Sequence, residues 1–456
     1  MSGSARRSPR SVSPGVRDVL GVGFGPSNLA LAIALDDHNA ALPAGAEPLD
    51  ARFVERQDRF GWHRGMLLED ATMQVSFLKD LATLRNPCSA YSFVSYLHAR
   101  ERLVDFINFG SAFPTRPEFH DYLEWAAEGF TDRVDYGTEV VGMRLVDGPG
   151  GPADLVEVDL LGPDGPVTER ARTVVLGTGL VPHVPEDLPL GERVWHSRDL
   201  LTRLGGLPDA PRRVTVVGAG QSAAEVVDHL HRTYADAEVC AVFARYGFSP
   251  ADDSSFANRV FDPDAVDDFF TAPREVKDRL LDYHGNTNYS VVDPELIDSL
   301  YRRHYAERVA GRERLRFLNV TRVAGVTCTD DGVEVELESL IEGDRETLRS
   351  DLVVYATGYR TSDPLDMLGD AAEGWERDEQ GRPGFHRDYR VKTPPEVTAG
   401  LYAPGATEHT HGLTSTLLSN VAVRAGEMVA SIAALVAGTP APRVPGGDAP
   451  AVQAAV

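Results

Sequence analysis

The chain has 456 residues, 42% hydrophobic and 25% charged, and its 45 Lys+Arg against 69 Asp+Glu leave a formal charge of −24. That composition excludes a disordered or fibrous protein, and so acidic a chain repels phosphate backbones and anionic lipid, so neither nucleic acid nor membrane is an expected partner. The 3 cysteines, Cys88, Cys240 and Cys328, are odd in number and lack CxxC spacing, which argues against a disulfide framework, a zinc site or a dithiol redox centre and points to a reducing, cytoplasmic compartment.

No stretch approaches the apolar length that spans a bilayer, and residues 1–17, with arginines and serines but no apolar centre, read as a disordered tail. From there apolar strand-like runs alternate with helix-period segments, the pattern of an α/β fold with doubly wound parallel sheets. One unit opens at Asp18. Its strand Val19-Leu20-Gly21-Val22 turns through Gly23-Phe24-Gly25-Pro26-Ser27-Asn28 into a helical run at 29–35. Gly23 permits the tight turn, Gly25 lets backbone approach a pyrophosphate, and the helix N-terminus supplies N–H groups and partial positive charge. Asn28 replaces the last glycine of the usual fingerprint, which loosens the expected helix–strand contact. A second strand, Ala51-Arg52-Phe53-Val54-Glu55, ends in an acid suited to ribose hydroxyls, as in FAD or NAD.

Short strands punctuated by Gly and Pro are expected over 154–185, and residues 204–211 (LGGLPDAP) read as a linker. A second unit opens at Arg213, where Val214-Thr215-Val216-Val217-Gly218-Ala219-Gly220-Gln221-Ser222-Ala223-Ala224-Glu225 repeats the strand–turn–helix pattern. Its partner strand at 239–244 ends in Arg245, a residue that pairs a 2′-phosphate and so favours NADP over NAD. Residues 247–288, rich in aromatics, Asp and Asn, read as an inserted substrate module. A helix follows at 293–309, then strands at 333–337 and 351–356, a last amphipathic helix from near Leu417, and a mobile end after Gly438.

Two such turns imply two dinucleotides, and the repeated Thr-Gly turns at Gly177-Thr178-Gly179 and Ala356-Thr357-Gly358-Tyr359 let the chain pass close to them. The pattern is similar to that of flavoproteins with two dinucleotide-binding domains. The expected map is an FAD-binding domain at 18–205 and 371–438, an NADPH-binding domain at 206–250 and 291–370, and a substrate module at 251–290, with a flexible C-terminus from 439. A flavin reduced by NADPH passes electrons to a disulfide, to a carrier or to dioxygen; the missing CxxC removes the first.

Several strings go further: Met73-Gln74-Val75-Ser76-Phe77-Leu78-Lys79-Asp80, Phe113-Pro114-Thr115-Arg116-Pro117-Glu118-Phe119, Asn288-Tyr289-Ser290-Val291-Val292-Asp293 and His411-Gly412-Leu413-Thr414-Ser415-Thr416-Leu417-Leu418-Ser419. Over about residues 18 to 430 the chain resembles the microbial N-hydroxylating flavin monooxygenases, the L-ornithine and L-lysine ω-amine hydroxylases of siderophore assembly. The resemblance implies that NADPH reduces FAD, that the flavin captures dioxygen as a C4a-hydroperoxide, and that the neutral terminal amine attacks it, with NADP⁺ retained as a shield. It also implies the roles of single residues. Lys79 pairs the substrate carboxylate; Asn258 and Asn288 bind the amino-acid head; Ser419 lies near its side chain. Gln74 lies over the flavin, with Gln74 and Asn288 nearest the chemistry. Trp62, His63, Thr357, Gly358, Tyr359 and Leu417 border the cofactors. Ser415 stands where the family usually carries Asp, and the strings at 114–119 and 288–293 favour ornithine over lysine. Family members are often tetramers. Lysine, a diamine or another amine remains the alternative substrate, and a non-catalytic nucleotide-binding protein the alternative class. The HxH at His409 and His411 has no distant third ligand, and no metal is expected.

Overall fold

The computed structural model describes residues 15–186, 188 and 190–439. Strand β1 (Val16–Val22) opens the fold. Its first two residues fall inside the expected tail, yet Val16 and Arg17 pair with Arg170 and Ala171, and Arg17 Nη1 donates to Asp50 at 2.9 Å. The ladder and this ion pair fix them as strand; residues 1–14 and those after 439 lie outside the described residues. Helix α1 (Pro26–Ala40) follows, with Pro26 in its first turn, where a missing N–H costs nothing. Residues 28–35 of α1 are all buried because the sheet covers one side and a late helix the other.

Further elements of this unit include β2 (Ala51–Glu55), α2 (Arg116–Glu128), β3 (Val134–Tyr136), β4 (Glu139–Gly148), β5 (Gly151–Gly162) and β6 (Gly165–Leu176), beside two short helices, Phe93–Ala99 and Leu103–Phe109. They form a seven-stranded sheet ordered β3-β2-β1-β6-β5-β4, with Gly400–Tyr402 paired parallel to β6. The strands from β3 to β6 are parallel, whereas β6, β5 and β4 are joined antiparallel. Here the structure departs from the short strands expected over 154–185: β5 and β6 run 12 residues each, because tight glycine connections at 148–151 and 162–165 turn them into a continuous ribbon. Register explains Gly21. It faces Phe53 across the β1–β2 ladder, and a Cβ on Gly21 would stand 2.2 Å from the Phe53 ring. That ring is fully buried and packs on Phe24 at 5.1 Å; truncating such a core aromatic costs about 3–5 kcal/mol.

The second unit contains β7 (Val194–His196), β8 (Arg213–Val217), α3 (Gln221–Thr233), β9 (Glu238–Phe243), α4 (Pro294–Ala310), β10 (Leu315–Asn319) and β11 (Leu352–Tyr355). Its five strands are parallel, in the order β10-β9-β8-β11-β7. Strand β7 belongs to this sheet although it precedes position 206, and its pairing with β11 is a contact no local pattern encodes. A three-stranded antiparallel sheet, Thr321–Thr329, Gly332–Ser339 and Arg345–Ser350, is inserted before β11. Only its middle strand is legible beforehand: Arg345–Ser350 is mostly exposed, and Thr321–Thr329 is only half-buried, with Val323 and Val326 packed on the core beside that middle strand. Between β9 and α4 lie two short helices, Ala265–Thr271 and Arg274–His284, and the 3₁₀ turns Ala257–Phe261 and Gly285–Thr287.

The last helix, α5 (Val421–Val436), starts four residues after Leu417, because Leu413–Thr416 and Leu418–Asn420 are spent in two 3₁₀ turns. Among the described residues the segment Leu418–Val436, 19 residues, is long and apolar enough to cross a membrane, which overturns the reading that no stretch approaches that length. Its apolarity has a packing cause: Val421, Ala425, Met428, Val429 and Ile432 share one core with α1.

Candidate active site

The first glycine turn is held by contacts that admit no side chain. Gly23 has φ +78°, and a Cβ there would stand 2.4 Å from the carbonyl oxygen of Gly177, so the Thr-Gly turn after β6 lies directly against it. A Cβ on Gly25, at the N-terminus of α1, would meet nothing within 4 Å among the described residues, which leaves room over the helix N–H groups. Asn28 is 1% exposed, and its Nδ2 donates to the carbonyls of Gly23 at 2.7 Å and Val22 at 3.1 Å. The amide therefore ties the turn to its helix where a loosened contact was expected. Glu55, at the end of β2, accepts from the backbone N–H of Phe24 at 2.8 Å and of Gln57 at 2.9 Å.

The second turn repeats the arrangement. Gly218 has φ +143°, and a Cβ there would stand 2.3 Å from the carbonyl of Ala356, in the second Thr-Gly turn. Gly220 caps α3 and lies against Ser290; Ser222 is half-buried in the first helical turn. Gln221 Oε1 accepts from the N–H of Asp293 at 2.8 Å. Arg245 is exposed and donates to the Ser290 carbonyl at 2.9 Å. Thr357 Oγ1 donates to the His183 carbonyl, and the Gly358 carbonyl accepts from His183 N at 2.9 Å and His196 Nε2 at 3.0 Å.

Rings link the second Thr-Gly turn to the segment that follows β2. Tyr359 lies 5.2 Å from His196 and 5.6 Å from His63, which is 4.9 Å from Trp62. Burial, then the neighbouring charges of Arg116 and His120, push the His63 imidazole down to about 4, so it is neutral at pH 7. Burial pushes the Tyr359 phenol up to about 12.

At the other end, Lys79 is half-buried with Nζ 5.7 Å from the Phe261 ring; burial lowers its pKa and Asp262 opposes that. Asn258 sits in the adjacent turn, its Nδ2 donating to the Asp253 carbonyl at 2.7 Å, and that turn packs on Leu413–Thr416. Asn288 N donates to Gly285 O at 3.2 Å, and Tyr289 is hydrogen-bonded to the Glu408 carboxylate. Burial first, then Glu408, raise the Tyr289 phenol. Ser419 is 8% exposed and Leu417 half-buried, whereas Gln74 is exposed. The structure thus brings Lys79, the Asn258 turn and the 413–416 turn together. Buried here, Thr407 Oγ1, Ser415 Oγ and both amide atoms of Asn420 find no hydrogen-bond partner among the described residues, so polar demand remains for a bound group to meet. The HxH is engaged otherwise: His409 Nε2 donates to Pro383 O at 2.9 Å, and His411 donates to Arg387 O at 3.1 Å and stacks on Tyr389 at 4.2 Å.

One pair has no role in the sequence reading. Arg116 opens α2 and forms a two-pronged bond to Glu225 of α3, at 2.8 and 2.7 Å. Both residues stand inside motif strings, but only tertiary packing makes them partners.

Residues 15–361 match the family described as L-lysine 6-monooxygenase/L-ornithine 5-monooxygenase. The L-ornithine N(5)-monooxygenase of Burkholderia cepacia is 42% identical over 407 residues, 87% of this chain and 90% of that protein. The ornithine N-hydroxylase of Kutzneria sp. 744, in a structure with reduced FAD, NADP⁺ and L-ornithine, superposes with a TM-score of 0.87 at 49% identity, covering 92% of this chain and 99% of the other. The ornithine hydroxylase of Pseudomonas aeruginosa gives 0.86 at 36% identity, covering 92% and 100%.

Proposed function

Because the chain belongs to the L-lysine 6-monooxygenase/L-ornithine 5-monooxygenase family, we propose that it hydroxylates the terminal amine of L-ornithine with FAD, NADPH and dioxygen, giving N5-hydroxyornithine for a siderophore or related natural product. The observation that carries the reading is the pair of glycine turns, each closed by its own Thr-Gly turn and each opening a helix. Bound FAD, reduced by NADPH, supplies the activation of dioxygen that delivers one oxygen atom to the amine.

The chain's own residues bind and orient. Gly21, Gly23, Gly25, Pro26 and Asn28 shape the turn that receives the FAD pyrophosphate, and Glu55 turns its free lone pairs to the ribose. Trp62, His63, Gln74 and Leu417 border the flavin, and the orphaned atoms of Ser415 and Asn420 are open to a bound group at the Lys79 end. Gly218, Gly220, Gln221 and Ser222 receive the NADPH pyrophosphate, Arg245 the 2′-phosphate, and Thr357, Gly358 and Tyr359 the space between the nucleotides. Lys79 pairs the substrate α-carboxylate while Asn258 and Asn288 hold the α-amino group, so that the side chain extends toward Ser419 and the flavin. The amine must be neutral to react, and enclosure disfavours its charged form. Catalysis rests on positioning, and no side chain is assigned as a general base. The two-domain division drawn from the sequence, with Val16 and Arg17 added to the first domain and Val194–His196 given to the second, a homo-oligomer and a cytoplasmic location complete the proposal.

The test is a panel of ornithine, lysine, cadaverine and putrescine with NADPH, measuring hydroxylamine and peroxide together. Hydroxylamine with ornithine at the highest kcat/KM is expected. Hydroxylamine with another amine alone reassigns the substrate, and a protein that binds FAD yet is not reduced by NADPH sinks the reading.

A further inference from the structure

We propose that the Arg116–Glu225 ion pair is a positioning device that sets the nicotinamide-nucleotide unit against the flavin unit for hydride delivery; the inference rests on the function proposed above.

The two residues belong to different cores. Arg116 opens α2, whose Phe119, Tyr122 and Leu123 pack in the core of the first unit. Glu225 lies in α3, whose Ala223, Ala224 and Val226 pack in the core of the second. Their side chains are 14% and 5% exposed, so the pair is shielded from salt and water. A planar guanidinium that meets a planar carboxylate with two bonds fixes orientation as well as distance. Arg116 Nη1 also donates to the carbonyl of Met66 at 3.1 Å, a residue whose side chain packs in the second core, so the arginine meets that unit at two points.

The bond leads on to the nucleotide turn. Glu225 Oε1 accepts from Gln221 Nε2 at 3.0 Å, Gln221 Oε1 accepts from Asp293 N at 2.8 Å, and the Asp293 carboxylate caps α4 at the N–H of Glu295. One hydrogen-bonded chain therefore runs from the first unit, through the first turn of the helix that follows Gly220, to the end of the 288–293 segment. A shift of the second unit breaks it. Hydride transfer is sensitive to such shifts: a misplacement of about 1 Å costs on the order of a hundredfold in rate.

The test uses the full-length FAD-loaded protein. Anaerobic flavin reduction by NADPH is followed by stopped flow, with NADP⁺ affinity, reoxidation by dioxygen after dithionite reduction, and FAD content as companions. In Glu225→Gln, close in volume to the parent, the reduction rate constant is expected to fall by about tenfold to a hundredfold, with reoxidation, FAD content and the KM for ornithine near wild type. Arg116→Lys, which keeps charge but not the fork, should lie between. Arg116→Lys with Glu225→Gln should be no slower than the worse single variant. Wild-type reduction in Glu225→Gln, or losses that add, overturn the proposal. A loss that only tracks lost FAD does the same. Small-angle scattering of cofactor-free protein reads the pair without turnover: a broader distance distribution in Glu225→Gln supports it, and an unchanged one counts against it. A wild-type protein that NADPH does not reduce sinks the proposed function instead.

Discussion

Asn28 and Gly177 occupy each other's space across the first nucleotide turn. A Cβ on Gly177 would stand 2.6 Å from Asn28 Nδ2, the atom that holds the carbonyls of Val22 and Gly23. Gly177→Ala should therefore displace the amide and cost about 1–3 kcal/mol for the unmade buried hydrogen bonds. Asn28→Ala should cost the same order. Urea unfolding of the cofactor-free variants measures both; unchanged midpoints would remove Asn28 as the clamp of the turn.

The two turns should fail in different colours. Gly23→Ala puts a methyl group on a backbone carbonyl at a φ of +78°, so this variant should purify without bound flavin. Gly218→Ala makes the same clash with Ala356 O in the second unit and should stay yellow while losing reduction by NADPH. Absorbance near the flavin bands before and after NADPH separates them, and a yellow Gly23→Ala would refute the assignment of the first turn.

Lys79→Ala should raise the KM for ornithine by about tenfold to a hundredfold, the worth of about 1.5–3 kcal/mol for a charged hydrogen bond, with flavin reduction nearly intact. Steady-state kinetics with separate measurement of reduction checks this. Loss of FAD in that variant would place Lys79 at the cofactor instead.

Arg245→Ala should weaken NADPH more than NADH, narrowing the ratio of their kcat/KM values by about tenfold or more, the worth of a charged hydrogen bond. The side chain is exposed and donates to the Ser290 carbonyl at 2.9 Å. An unchanged ratio would exclude contact with the 2′-phosphate.

Acid should destabilise the fold through His411. Burial holds this imidazole at about 3 in the folded protein, against about 6.5 in the unfolded chain. As pH falls the unfolded chain takes up the proton first. The stability tied to neutral His411 is thus full above about pH 6.5 and is lost toward pH 3, with a limiting slope of about 1.4 kcal/mol per pH unit. His411→Gln should flatten that slope in urea titrations between about pH 6.5 and 4, and an unchanged slope would acquit the histidine.

The sequence by itself determined the local pieces whose physics is local. Gly23 and Gly218 must be glycines because their turns need positive φ, and the strands that feed them and the helices that leave them carry their own periodicity. Hence both glycine turns and the α/β class were legible, and so was the segment that carries Lys79. What only the tertiary structure decided joins residues far apart in the chain: β7 beside β11, the burial of Leu418–Val436 against α1, and the meeting of Arg116 with Glu225. A charged pair or an exposed strand leaves no period in the sequence, and an apolar helix reads alike whether protein or lipid covers it. The partner that settles each case is supplied by packing alone.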